Sequence, residues 1–255
     1  MQTHTFSKED VHRGALRLVS ASHPLANGLP ALARPLEVLG TTEAGEVVLM
    51  EEAAARMMRC LLQSAACCGR LQPVSGFRSR EEQHDIFEST LKERGEAFAR
   101  SYVALPGCSE HETGLAVDLA NAQSIVDFIT PDFPAEGRFA RFADLCSLYG
   151  FIERYPKGKS DVTGIAFEPW HFRYVGQPHA RIMQKNGWTL EEYVAVLRKH
   201  KSLKRALVHR EKSYSVRVFM LPLSTRGTAG ISLPEGAVWQ ASGNNVDGVV
   251  VSVWE

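Results

Sequence analysis

The sequence predicts an α+β fold with a small β-rich tail. Segments of helical and strand periodicity are mixed without the strict alternation of a doubly wound sheet. Beyond about residue 205 short alternating apolar runs take over. With 255 residues, 44% hydrophobic and 23% charged, the chain can bury one large core plus an appendage.

Residues 1–50 read as irregular, broken by His23-Pro24, Asn27-Gly28, Leu29-Pro30 and Arg34-Pro35. From Glu51 to Cys68, Ala54, Met57, Met58, Leu61, Leu62 and Ala65 recur at helical spacing, and Gly69 is the expected stop. Leu71 to Gly76 reads as a short strand entering a turn. Ser79, three residues before Glu82, has capping-box spacing and opens a helix to about Arg94, with Ile86, Phe87 and Leu91 inward. Residues 113–119 suit a buried strand, Phe139 to Tyr149 a helix, and Thr189 with Glu192 a second capping box. In the tail, Ser215–Phe219, Ala229–Leu233, Ala237–Gln240 and Val249–Trp254 are strand-like, with Gly243-Asn244-Asn245 as turn chemistry before the last. No internal repeat or low-complexity stretch is present.

Lys and Arg total 29 against 29 Asp and Glu, so no net field recommends nucleic acid or an anionic membrane as partner. There is no run of eighteen apolar residues and no apolar signal segment at the N-terminus, so neither membrane insertion nor export is expected. The cysteines, Cys60, Cys67, Cys68, Cys108 and Cys146, are odd in number and lack CxxC spacing, which reads as reduced thiols. Both observations fit a cytoplasmic location. The composition leaves a homodimer open.

Two segments carry the chemistry: Ser109-Glu110-His111-Glu112-Thr113-Gly114-Leu115-Ala116-Val117-Asp118 and Glu168-Pro169-Trp170-His171. A catalytic zinc needs three protein ligands, an open position and a base. His111, Asp118 and His171 can fill the ligand roles, leaving Glu168 as base. An Asp inside an apolar strand is costly unless paired or metal-bound, but a helix cap or an arginine partner would explain Asp118 equally well. The HExxH helix pattern fails here, since Leu115 stands where the second His should be. Glu168 and His171 lie three apart, on opposite sides of a plain strand, so they can share a site only if the chain bends, and Pro169 favours such a bend. Trp170 is equally explained as core. Arg78 and Arg80, at the entry to a helix, offer forks for an anion or ordinary ion pairs. His4, His12, His23, His200 and His209 read as structural or solvated, and His84 and His179 stay outside the ligand set.

These segments, in order and spacing, resemble the zinc D,D-peptidases of the VanX, VanY and VanXY group. The likeness rests on Pro73 to Gln83, Tyr102 to His111, Thr113 to Asp118, Asp127 to Pro134, Tyr149 to Tyr155 and Thr163 to Gly176. Ser242 to Gly248 in the tail extends the resemblance to the cytoplasmic VanXY type. It implies a single zinc-peptidase domain over residues 1–204, a central antiparallel sheet flanked by helices, followed by a β-rich extension over 205–255. It also implies one zinc per chain on His111, Asp118 and His171, Glu168 as base and Arg78 steadying the developing oxyanion. Gln83, Ser109 and Trp170 match positions that line the substrate pocket. Cys108 and Phe167 depart from the common pattern beside the site and bear on substrate preference.

The implied activity is hydrolysis of D-Ala-D-Ala and of the terminal D-Ala of peptidoglycan precursors, which would deplete the target of vancomycin. Small peptides ending in D-Ala-D-Ala are the implied partners. Two other readings stand beside it: a D,D-carboxypeptidase of cell-wall turnover without dipeptidase activity, and a zinc-bearing peptidoglycan-binding protein without catalysis. The binder has no use for Glu168 and Arg78.

Overall fold

The computed structural model describes residues 1–27, 32–223 and 227–255, so the predicted breaks at Gly28, Leu29 and Pro30 lie outside the described residues. Strands run β1 (Gln2–Phe6), β2 (Leu36–Thr41), β3 (Val47–Glu51), β4 (Leu71–Ser75), β5 (Ala116–Asn121), β6 (Phe151–Tyr155), β7 (Glu168–Tyr174), β8 (Leu207–Arg210), β9 (Ser215–Pro222), β10 (Ala229–Leu233), β11 (Trp239–Gly243) and β12 (Gly248–Trp254). Helices run α1 (Glu52–Ser64), α2 (Arg80–Arg94), α3 (Glu96–Tyr102), α4 (Gly137–Cys146), α5 (Ser160–Thr163), α6 (His179–Asn186) and α7 (Leu190–Leu197). The mixed fold with antiparallel sheets agrees with the α+β expectation. Two compact units are present: Val19–Pro24 with Pro30–Thr189, and Met1–Leu18 with Leu25–Leu29 and Leu190–Glu255.

The larger unit is built on an antiparallel sheet in the order β4-β5-β7-β6. Ala116 to Ala120 of β5 are buried on both faces, which explains a nearly continuous apolar run interrupted only by Asp118. Phe133, Phe142 and Phe172 pack ring against ring, with centroids 5.0 to 6.0 Å apart. Helix α1 buries Ala54, Met58 and Leu61 of the predicted stripe, together with Ala55, while Met57 and Leu62 are half-buried. The capping box of α2 forms as its spacing demands: Glu82 N–H donates to Ser79 Oγ (3.1 Å) and Ser79 N–H to Glu82 Oε2 (2.6 Å).

Several elements differ from the sequence reading. Residues 1–50 carry β1, β2 and β3 rather than irregular chain. Strand β2 has a bulge between Val38 and Gly40, and Val38 and Val47 are exposed, so the alternation that marks a strand is broken. Strand β1 pairs with β10, a partnership local pattern cannot reveal. Helix α1 ends at Ser64 rather than Cys68, because Ala66 already takes a left-handed turn (φ 57°). The helix expected through Tyr149 stops at Cys146, and a single tight turn follows, closed by Gly150 at φ 83°. Pro169 lies inside central strand β7, where a proline should be excluded. It is tolerated because the ladder to β5 stops at Asp118↔His171 and the ladder to β6 shifts between Glu153 and Tyr155.

In the smaller unit, strands pair in the order β11-β12-β9-β8, and β1 pairs with β10. Val11, Phe219, Leu221, Leu233, Val249 and Val251 form its core. The predicted turn chemistry is there. Asn244 is fully buried, and its Oδ1 accepts the N–H groups of Val246, Asp247 and Gly248 at 2.9 to 3.0 Å. Asn244→Ala would strip one buried donor, Gly248 N–H, and two part-buried ones of their acceptor, and a buried donor left unpaired costs about 1–3 kcal/mol. Denaturant unfolding should show a loss of about 3 kcal/mol; a variant within 0.5 kcal/mol or so of wild type would deny the turn this role.

Candidate active site

The chain leaves β4 at Gly76, where a Cβ would sit 2.2 Å from the Leu49 carbonyl oxygen and 2.8 Å from Val48 Cγ1. Only glycine lets the backbones approach so closely. The Gly76 carbonyl then accepts from Nδ1 of His111 at 2.6 Å, setting that ring's orientation. His111 sits in a buried helical turn, Glu110–Thr113, closed by Gly114 at φ 69°, and the turn delivers the chain into β5. Asp118 of β5 lies directly opposite His171 of β7, and facing residues of antiparallel strands project to the same side. Tyr155 stands opposite Glu168 across the β6–β7 register shift. The shift brings Glu168 Oε2 to 3.8 Å from His171 Nδ1 despite their odd spacing.

His111 Nε2 is 3.1 Å from Asp118 Oδ2, and His171 Nδ1 is 2.9 Å from Asp118 Oδ1. One donor atom from each of His111, Asp118 and His171 lies within 4.8 Å of the others, all buried. Two imidazoles and one carboxylate are a donor set suited to a catalytic zinc, so the residues fit the ion that the sequence implies. Arg78 donates to Asp118 Oδ2 (3.0 Å), to Ser75 Oγ (2.7 Å) and, at 3.4 Å, to Gln83 Oε1, above the Phe128 ring. Gln83 in turn donates to the Ala104 carbonyl at 2.7 Å.

Burial and charge set the protonation of the cluster. Burial would raise Asp118, but His111 and His171 outweigh it and hold its carboxyl well below the usual carboxylate range. Burial pushes Glu168 up to about 8 against the pull of His171. For His171 burial opposes charge, yet the carboxylates of Asp118 and Glu110 that face its ring raise its pKa to about 9. His111 goes the other way, lowered by burial and by Arg78.

Arg78, Gln83, Ser109, His111, Asp118, Glu168, Trp170 and His171 all line a single cavity. His84 is exposed beside Asp85, and His179 is buried, lowered to about 3 by desolvation; neither lines that cavity. The sequence reading missed Phe128, Tyr155 and Glu110 in the lining. Glu110 has no exposed side chain, and Arg154 and Arg173 reach its Oε1 at 2.8 and 2.7 Å. A buried glutamate must find cations, and only the fold brings Arg154 and Arg173 to it.

Comparison with known proteins identifies the family. Residues 47–177 match the family described as VanY, D-alanyl-D-alanine carboxypeptidase. The bifunctional D-Ala-D-Ala dipeptidase and carboxypeptidase VanXYC of Enterococcus gallinarum is 40% identical over 179 residues, covering 70% of this chain and 92% of that protein. The crystal structure of the vancomycin-resistance D,D-dipeptidase VanXYg with a D-Ala-D-Ala phosphinate analogue superposes with TM-score 0.92 at 38% identity, over 100% of this chain and 99% of that one. A VanY variant from a VanB-type cassette, crystallised with Zn(II), gives TM-score 0.56 at 28% identity over 71% and 98% of the two chains. Fold and relatives define the class, a metallopeptidase. Within it, this chain belongs to the VanY D-alanyl-D-alanine carboxypeptidase family.

Proposed function

We propose that this protein is a zinc D,D-peptidase that hydrolyses D-Ala-D-Ala and removes the terminal D-Ala of peptidoglycan precursor pentapeptides, as in glycopeptide resistance. The observation that carries the reading is the convergence of His111, Asp118 and His171 with buried Glu168 and Arg78 around one cavity. In this reading one zinc binds per chain on the two imidazoles and Asp118. Bound there, zinc supplies Lewis acidity toward the attacking water and the scissile carbonyl. Glu168 takes the proton of the attacking water and passes it to the leaving amine. Arg78, already anchored by Ser75 and Gln83, meets the charge that develops on the carbonyl oxygen. Gln83, Ser109 and Trp170 shape the pocket around the substrate. The peptidase chemistry belongs to residues 1–204, and the β-rich extension over 205–255 contributes no catalytic group. Among the described residues no helix is long and apolar enough to cross a membrane, which is compatible with action on cytoplasmic precursors.

Hydrolysis of free dipeptide compared with muramyl pentapeptide tests the substrate range. Cleavage of both is expected. Cleavage of pentapeptide alone would favour the carboxypeptidase of cell-wall turnover, and cleavage of neither would overturn the assignment. Arg78→Ala should lower kcat and kcat/KM together by about a hundredfold or more while KM barely moves, as for a group that acts on developing charge. A raised KM with unchanged kcat would make Arg78 a grip on the substrate carboxylate instead. Arg78→Lys should recover little, since an ammonium cannot reproduce the planar fork.

A further inference from the structure

We propose that Glu110, clamped by Arg154 and Arg173, is the positioning residue that keeps His171 protonated on Nε2 and so presents Nδ1 to the metal. The inference rests on the zinc reading above and adds a residue to it. Glu110 Oε1 takes both guanidiniums, Arg154 Nε at 2.8 Å and Arg173 Nη1 at 2.7 Å, and all three side chains are fully buried. The other oxygen, Oε2, faces His171 Nε2 at 3.6 Å. Among the described residues both atoms are buried without a formed hydrogen bond. A shift of under about 1 Å would close a charge-assisted bond between them. On the opposite side of the imidazole, Nδ1 faces Asp118 and Glu168.

The consequence is a division of the two ring nitrogens. The N–H on Nε2 points at a carboxylate that cannot turn away, because two arginines hold its far oxygen. Arg154 also lies over the Tyr155 ring, 4.9 Å from centroid, and that ring packs 4.9 Å from His171, which confines the imidazole from a second side. His111 is arranged with the opposite polarity: its Nδ1 meets the Gly76 carbonyl and its Nε2 faces Asp118. The two imidazoles thus offer unlike nitrogens to one ion. A hydrogen-bonded carboxylate behind a ligating imidazole fixes its tautomer and raises its basicity, and removing one typically costs about 10–100-fold in metal affinity.

The test uses full-length protein loaded with ¹¹³Cd in place of zinc and labelled with ¹⁵N-histidine. Metal–nitrogen coupling should reach Nδ1 of one imidazole and Nε2 of the other; coupling to two Nε2 atoms would overturn the proposal. In parallel, the zinc dissociation constant of Glu110→Gln, measured against a chromophoric chelator, should rise about 10–100-fold. Because that change leaves two buried guanidiniums without their anion, Glu110→Gln with Arg154→Met is made beside it, removing one charge of each sign. The double variant should keep the unfolding midpoint of the metal-free protein yet show the same weakened zinc binding. Wild-type zinc affinity in either folded variant would overturn the role of Glu110 and leave the metal site standing. Absence of zinc binding by the wild-type protein would overturn both.

Discussion

Glu168→Ala is expected to retain zinc and lose roughly a hundred- to ten-thousandfold in turnover on D-Ala-D-Ala, the span for a lost general base. The side chain is buried beside His171, at 3.8 Å, and faces the cavity that holds the other predicted groups. Burial, reinforced by the charges of Asp118 and Glu110, pushes its pKa up to about 8 against the pull of His171 and Arg78, which favours the protonated carboxyl in the metal-free protein. A dication beside it favours the ionised form, the form that the proposed role as base requires. Glu168→Gln should be as inactive as Glu168→Ala, because it keeps the shape without the basicity. Metal analysis and steady-state kinetics on the same preparations check this. Near-normal turnover with zinc retained would move the base to another carboxylate.

The second large effect is on the metal itself. His111→Ala or His171→Ala removes one of three converging donors. Since the loss of a mere outer partner already costs about 10–100-fold in affinity, each variant should lose zinc on dialysis, and activity with it. Restored turnover at high added zinc would still fit a weakened site. Full zinc occupancy after dialysis in both variants would remove these histidines from direct contact with the ion.

The candidate site was more legible in the sequence than the fold around it. His111, Asp118, Glu168 and His171 sit in two short runs whose residue types suggest a metal site, and local geometry brings them together: the Gly114 turn, the Asp118↔His171 pairing and the β6–β7 register shift beside Pro169. Helices α1 and α2 were readable because their apolar stripes and the Ser79–Glu82 box are local signals. Strands β1 to β3 were not. Their alternation is broken by a bulge or by exposed valines, and β1 takes its meaning from β10 at the far end of the chain. Glu110 was overlooked for the same reason. In sequence it is one more acidic residue beside a histidine, and its two arginines arrive from β6 and β7.

The most direct measurement is amino-acid release from D-Ala-D-Ala and from L-Ala-L-Ala by the zinc-loaded and the chelator-stripped protein at neutral pH. The expected result is D-Ala release by the loaded protein alone, abolished by stripping, recovered with added zinc, and undetectable on the L,L dipeptide. Release from D-Ala-D-Ala that is unchanged after stripping, or no release with zinc fully bound, would contradict the assignment of His111, Asp118, His171 and Glu168 to a zinc D,D-peptidase site.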